Sequence, residues 1–333
     1  MKVGLFSPDY MPYSLRHYTD NVVRELAKLG VKIIAFSGYE ELPSGVDLYW
    51  DPRGGRGSPP LFFKNVNKPF AVTFHGVANV VLPLWECFGF NLKNLIAGYR
   101  SKRATIAGWT AFRGNLSCAI AVSKYAKKEL ETYLGLGGEK IFPIYHGVDH
   151  GLFRPGLKSS NDNSYLLHVS LYQPKKNIKK IVKSYNRLRV DNKPPFIVIA
   201  AGYPGVKAKN GISIFPSPKS HKELISLYQN AMGFIFPSLH ETFGMPILEA
   251  MASGCPVITS NISGCAEVAA DAAMLINPRS LREITAAIEK LTVDQELRQI
   301  LRAKGLKHAS NFTWSKCGEE HLRVFERACS KGI

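Results

Sequence analysis

"FIFPSLHETFGMPILEAMASGCPVITS", residues 234–260, decides how the rest of the chain is read. It begins with three apolar residues and breaks at Pro237. A polar loop follows, then Pro246, an apolar run and Gly254. Proline is tolerated at the start of a helix and glycine marks its end, so the spacing predicts strand, loop, a helix with Pro246 at its first position, and strand. Thr242, Phe243, Gly244 and Met245 then lie at a helix amino terminus beyond the carboxyl end of a strand. Backbone amides and the helix dipole make that an anion site, and a glycine lets a phosphate approach the backbone. Glu241 precedes the site, and Glu249 lies about one turn inside the helix. A carboxylate accepts two hydrogen bonds, which suits the vicinal hydroxyls of a ribose or a sugar. Spacing alone allows equally a solvated loop residue at 241 and a surface position at 249. The apolar neighbours Ile247, Leu248, Ala250 and Met251 weigh against that, because little of this helix is ready to face water.

The alternation continues in both directions. Towards the amino terminus, "KVGLF" is a strand, "SPDYMPYSL" a loop and "RHYTDNVVRELAKLG" a helix with Gly30 past its end. "VKIIAF", "FAVTF" and "CAIAVS" are apolar runs of the kind that fill parallel sheets covered on both faces. "IFPIYHGVDHGLFRPG" has the glycines and prolines of a connector. The pattern then restarts with "SYLLHVS", "NIKKIVKSYNRL", "PFIVIAAG" and "HKELISLYQNA". Strands alternating with helices predict an α/β protein of two Rossmann-like, doubly wound parallel sheets facing across a cleft. The expected division is residues 1–150, 151–312 and a closing helix over 313–333.

The composition fits an ordinary globular protein, with 333 residues, 45% hydrophobic and 21% charged. No signal peptide is read at the amino terminus, and the longest charge-free run, 69–85, is too broken to span a membrane. The six cysteines lack any CxxC or histidine-paired spacing. They read as reduced, buried thiols of a cytoplasmic protein, and no metal site is expected. The net charge of +17 favours acidic partners. Between Cys87 and Lys128 there are eight Lys/Arg and no Asp/Glu. Aromatics interleave with Lys93, Arg100, Lys102, Arg103 and Arg113 in 85–114, which suits an anionic membrane surface or, more plainly, helices with a basic outer face. No GxGxxG follows a strand, no P-loop is present, and no RNA- or DNA-binding signature accompanies the charge. Dehydrogenase, P-loop nucleotidase and nucleic-acid readings are therefore set aside.

The run Glu241-Thr-Phe-Gly-Met-Pro-Ile-Leu-Glu249 resembles the Glu-x7-Glu signature of retaining glycosyltransferases with the GT-B fold, the family 4-like or group 1 enzymes. "YLLHVSLYQPKKN", "AVSKYAKKEL", "YHGVDHGLF" and 237–278 are similar to the same family, so the resemblance covers most of the chain. It implies a donor site in which Glu249 holds the ribose hydroxyls and Glu241 contacts the transferred sugar. The amides of Phe243, Gly244 and Met245 would cradle sugar and pyrophosphate. Lys176, with Lys175, would neutralise the leaving diphosphate. His75, which alone reads as a structural histidine at a strand end, matches one that faces the sugar across the cleft. Base selection is expected around "SIFPSP" (213–218), which includes Phe215 and Pro216. The implied reaction moves a hexose-type sugar from a UDP- or GDP-sugar to a glycan or lipid-linked acceptor. Configuration is retained, and neither a metal nor any other cofactor is needed.

Two positions depart from the family pattern. The loop after the first strand carries Ser14 and Arg16 near the expected glycines, and Leu171 stands where many relatives have an arginine. Stabilisation of the leaving phosphate then rests more heavily on Lys175 and Lys176. The two departures favour a second reading, a non-catalytic sugar-nucleotide or membrane-surface binding protein that retains the fold.

Overall fold

The computed structural model describes residues 1–37, 42–55, 57, 60–156, 165–203, 205–218 and 220–330. Backbone contacts divide the chain into two units, one of residues 1–84, 90–147 and 312–333 and the other of 85–89 and 148–311. No helix among the described residues is long and apolar enough to cross a membrane.

The first unit is built on six parallel strands, β1 (Lys2–Phe6), β2 (Lys32–Phe36), β3 (Leu48–Gly54), β4 (Phe70–Phe74), β5 (Cys118–Ala121) and β6 (Ile141–Pro143), in the order β2-β1-β3-β4-β5-β6. Every residue of β4 and β5 is buried, which is why these stretches are continuously apolar. β3 was not anticipated, because its Asp51-Pro52-Arg53 reads as a turn. Arg53 resolves the conflict by donating two hydrogen bonds to the buried Asp51 carboxylate, from Nε at 2.9 Å and Nη2 at 3.1 Å.

The helix after β1 runs Tyr13–Lys28, so it begins earlier than expected. Pro12 has a φ of −53° and the helix starts directly behind it. Ser14 and Arg16 therefore sit exposed in the first helical turn rather than in a loop, and Arg16 Nη2 donates to the Asp9 carbonyl at 3.3 Å. The last helix, Trp314–Ser330, belongs to this unit. A Cβ at Gly147 would come within 2.2 Å of the Trp314 nitrogen, so only glycine lets the backbone pass beneath the start of that helix.

The second unit has seven strands, β7 (Tyr165–Leu171), β8 (Phe196–Ala201), β9 (Lys207–Lys209), β10 (Ile212–Phe215), β11 (Ala231–Phe236), β12 (Val257–Ser260) and β13 (Met274–Ile276). Their order is β13-β12-β11-β7-β8-β10-β9, and β9 is the antiparallel edge of an otherwise parallel sheet. Ile181, Ile235, Ile258, Ile288 and Leu291 are fully excluded from water between the sheet and its helices. Each contributes about 1.5–3 kcal/mol by burial. The sheet order sets β7 beside β11 at its centre, so the segments leaving their carboxyl ends emerge as neighbours.

Candidate functional site

Two of those segments meet in the second unit. After β7 the chain turns through Pro174–Lys176 to Asn177, which takes the left-handed conformation at φ 64°. Asparagine tolerates that backbone, and its amide holds the turn by donating to the carbonyls of Pro237 at 3.0 Å and Pro278 at 2.8 Å. The Lys175 carbonyl accepts the Leu239 amide at 2.7 Å. The turn is thus fastened to the loop that leaves β11, and Lys176 is carried to Glu241.

Lys176 Nζ lies 2.5 Å from Glu241 Oε1, and the Ser238 hydroxyl donates to the same oxygen at 2.6 Å. Both side chains of the ion pair are nearly closed off from water. Burial works to raise the Glu241 pKa, but the positive charges of Lys176 and Lys175 and the two hydrogen bonds outweigh it and hold the carboxyl at about 2. The loop is clamped from below at Ser263 and Gly264. The Glu241 amide donates to Ser263 Oγ at 3.2 Å, and the Gly264 amide donates to the Glu241 carbonyl at 2.7 Å. A Cβ at Gly264 would stand 2.4 Å from the Thr242 carbonyl oxygen, which explains the glycine. Beneath the pair lies His168, neutral with a pKa lowered by burial to about 4, with Nδ1 2.7 Å from the Ile235 carbonyl and Nε2 2.8 Å from Ser170 Oγ.

The helix that follows runs Met245–Ala252, so Pro246 is its second residue and Gly244, at φ 103°, its N-cap. Thr242, Phe243 and Gly244 thus directly precede the helix, and Met245 opens it. Phe243 is buried. Glu249 accepts a hydrogen bond from the Tyr228 hydroxyl at 3.1 Å. Burial raises its pKa to about 7, against the pull of that hydrogen bond. Tyr228 is fully buried on the neighbouring helix, His221–Asn230. It was not among the residues expected from sequence, and a tyrosine on an otherwise ordinary helix carries no signal that could have singled it out. Phe215 and Pro216 stand at the carboxyl end of β10, separated from β7 by β8. The exposed Leu171 is the last residue of β7.

The remaining sequence-derived candidates belong to the first unit. His75 follows β4, its Nε2 2.9 Å from the Pro52 carbonyl, so the proton sits on Nε2. Burial lowers its pKa to about 4 and keeps it neutral. The Tyr18 ring meets it edge-on at 4.6 Å. His321, on the last helix, explains how Tyr18 is held. Its Nδ1 lies 2.7 Å from the Cys317 carbonyl and must carry the proton, which leaves Nε2 to accept the Tyr18 hydroxyl at 2.6 Å. The same hydroxyl lies 3.3 Å from Thr73 Oγ1, which accepts the Trp50 indole N–H at 3.0 Å. Residues 303 positions apart in sequence thereby fix the ring that packs on His75.

Residues 151–308 match the family described as glycosyl transferases group 1. Among curated proteins, the chain is 30% identical over 173 residues to O-antigen chain mannosyltransferase B of Escherichia coli, a match over 49% of this chain and 45% of that protein. The chain spans less than half the length of this and the other E. coli mannosyltransferases it matches. Among solved structures, it superposes on sucrose-phosphate synthase of Thermosynechococcus elongatus with a TM-score of 0.77, 15% identity and 99% coverage of both chains. It superposes on Anabaena Alr3699/HepE, solved in complex with UDP and glucose, with a TM-score of 0.69, 14% identity and coverage of 98% and 99%. Two parallel-sheet α/β units with such neighbours are the GT-B fold.

Proposed function

We propose, from the match of residues 151–308 to the glycosyl transferases group 1 family, that this chain transfers a hexose from a nucleotide sugar to a glycan or lipid-linked acceptor. The observation that carries the proposal is the buried Lys176–Glu241 pair, fastened by Asn177, Ser238 and Gly264, directly ahead of a helix amino terminus. A nucleotide sugar offers each member of that pair a further partner. Its diphosphate would accept from the Lys176 ammonium, with Lys175 and the amides of Phe243, Gly244 and Met245 adding positive potential. Its sugar hydroxyls would donate to Glu241, and its ribose hydroxyls to Glu249. Phe215 and Pro216 would lie towards the base.

The donor is a UDP- or GDP-sugar. The HepE complexes with UDP and with UDP-glucose support the first, and the mannosyltransferase relatives support a hexose and a glycan acceptor. In the proposed step the acceptor oxygen forms a bond to the anomeric carbon while the bond to the diphosphate breaks. Attack comes from the face the diphosphate leaves, so configuration is retained, and a diphosphate oxygen takes the acceptor proton. Lys175 and Lys176 meet the charge on the leaving group without a metal. Six free cysteines, four of them buried, support a cytoplasmic location. The test is release of nucleoside diphosphate from a panel of UDP-, GDP-, ADP- and dTDP-sugars with a lipid-linked acceptor. One donor should turn over, and Lys176→Ala should slow it by at least a hundred-fold. Tight binding with no turnover of any donor would favour the non-catalytic reading.

A further inference from the structure

In the first unit, the helix Leu92–Phe112 packs inward through Gly98, Thr105, Trp109 and Phe112. At 100° per residue these cluster on one side of the helix. Leu92, Ile96, Tyr99 and Arg103 fall within a narrow arc on the opposite side, so the amino-terminal half of this helix carries an apolar stripe on its outer face. Phe90 is 85% exposed, Leu92 71%, Tyr99 54% and Ile96 47%. Surface apolar side chains are normally scattered singly, whereas here three lie on one side of the helix and Phe90 stands just ahead of its amino terminus. Leu84, Leu95, Ile96 and Tyr99 line a shallow groove of about 630 Å3, with Arg100 and Arg103 on its walls. Lys93 stands beside Leu92. No acidic residue occurs anywhere on this helix.

We propose that this face docks the protein on an anionic lipid surface, with Phe90, Leu92, Ile96 and Tyr99 entering the headgroup layer and Lys93, Arg100 and Arg103 pairing with lipid phosphates. Unbroken positive charge around a wet apolar stripe is what such a surface complements. A protein partner would ordinarily be met by charges of both signs. The proposal rests on the transferase reading only in naming the surface that presents a lipid-linked acceptor.

The test is cosedimentation of the 333-residue chain with vesicles, three parts phosphatidylglycerol to seven of phosphatidylcholine against phosphatidylcholine alone, in 0.1 M salt. Binding to the anionic vesicles alone is expected, weakening in 0.5 M salt. Each basic residue close to such a surface is worth about five-fold in affinity, so Arg100→Ala with Arg103→Ala should cost roughly twenty-five-fold. Phe90→Ser with Leu92→Ser should reduce binding at both salt concentrations. All these side chains are exposed, so the variants should melt like the parent. Indifference to anionic vesicles, or equal binding by every variant, would overturn the proposal. So would a dimer in lipid-free buffer that Phe90→Ser with Leu92→Ser turns into monomers, because the face would then join two copies of the chain. Vesicle binding is read without a sugar nucleotide, so its failure and failure of the transferase reading are seen separately.

Discussion

Replacing Glu249 by glutamine should make the protein more stable and its donor site worse. Burial lifts this carboxyl from an ordinary 4.5 to about 7. The native state therefore keeps a proton that the unfolded chain gives up, so stability falls as pH rises from about 4.5 and levels off above about 7. The full displacement corresponds to up to about 3 kcal/mol at pH 8. Part of the side chain reaches solvent, and about 2 kcal/mol is the better expectation. Glutamine keeps an oxygen to accept the Tyr228 hydroxyl and carries no charge. Melting curves of parent and Glu249→Gln should nearly coincide at pH 4.5 and separate progressively, reaching about 4–8 °C in favour of the variant at pH 8. The same carboxylate must be ionised to accept two ribose hydroxyls. Affinity of the parent for a nucleotide sugar, whose own diphosphate does not titrate in this range, should fall about ten-fold between pH 8 and pH 6, whereas the variant should bind weakly at both. A pH-independent difference in melting temperature, or a parent more stable than the variant at pH 8, would mean that Glu249 is not held protonated by burial.

Other consequences follow from particular contacts. Lys176→Met strands the buried Glu241 carboxylate and should cost about 3–5 kcal/mol in urea unfolding, while adding Glu241→Gln should recover most of it. Tyr18→Phe keeps the ring against His75 but leaves His321 Nε2 without its donor, and should cost about 1–3 kcal/mol by the same measurement. Gly147→Ala would force the start of the last helix outward, and hydrogen exchange should show residues 314–330 losing protection first. In the proposed reaction EDTA should leave the rate unchanged, and a rate restored only by a divalent cation would contradict the assignment of the leaving-group charge to the lysines.

The doubly wound sheets were legible in the sequence because alternating apolar strands and helices repeat over most of the chain. The Glu241–Glu249 stretch was legible because Pro246 and Gly254 bracket a helix that few alternatives explain. Physical reasons account for what was hidden. β3 contains a buried Asp51 and a proline, and only Arg53, folded back on the aspartate, makes it a strand. The helix at Tyr13 starts one residue after a proline, where local pattern alone suggests a loop. Tyr18 and His321 pair across nearly the whole chain, and Tyr228 reaches Glu249 from another helix, so neither partnership has a local signature. The outer stripe at Leu92, Ile96 and Tyr99 is masked in sequence because the same helix also buries Trp109 and Phe112 on its other side, which blurs the pattern. Ser14 and Arg16 show the opposite hazard, since a family position drew them into a loop that the local helix occupies.

In the proposed reaction a nucleotide sugar binds at the Lys176–Glu241 pair. The most direct test is calorimetric titration of UDP-glucose and GDP-mannose into the parent chain and into the folded Lys176→Met/Glu241→Gln variant. The parent should bind one of the two donors saturably and one-to-one, and the variant at least about a hundred-fold more weakly. Equal affinity of parent and variant, or no binding of either donor by the parent, would contradict donor binding at the pair.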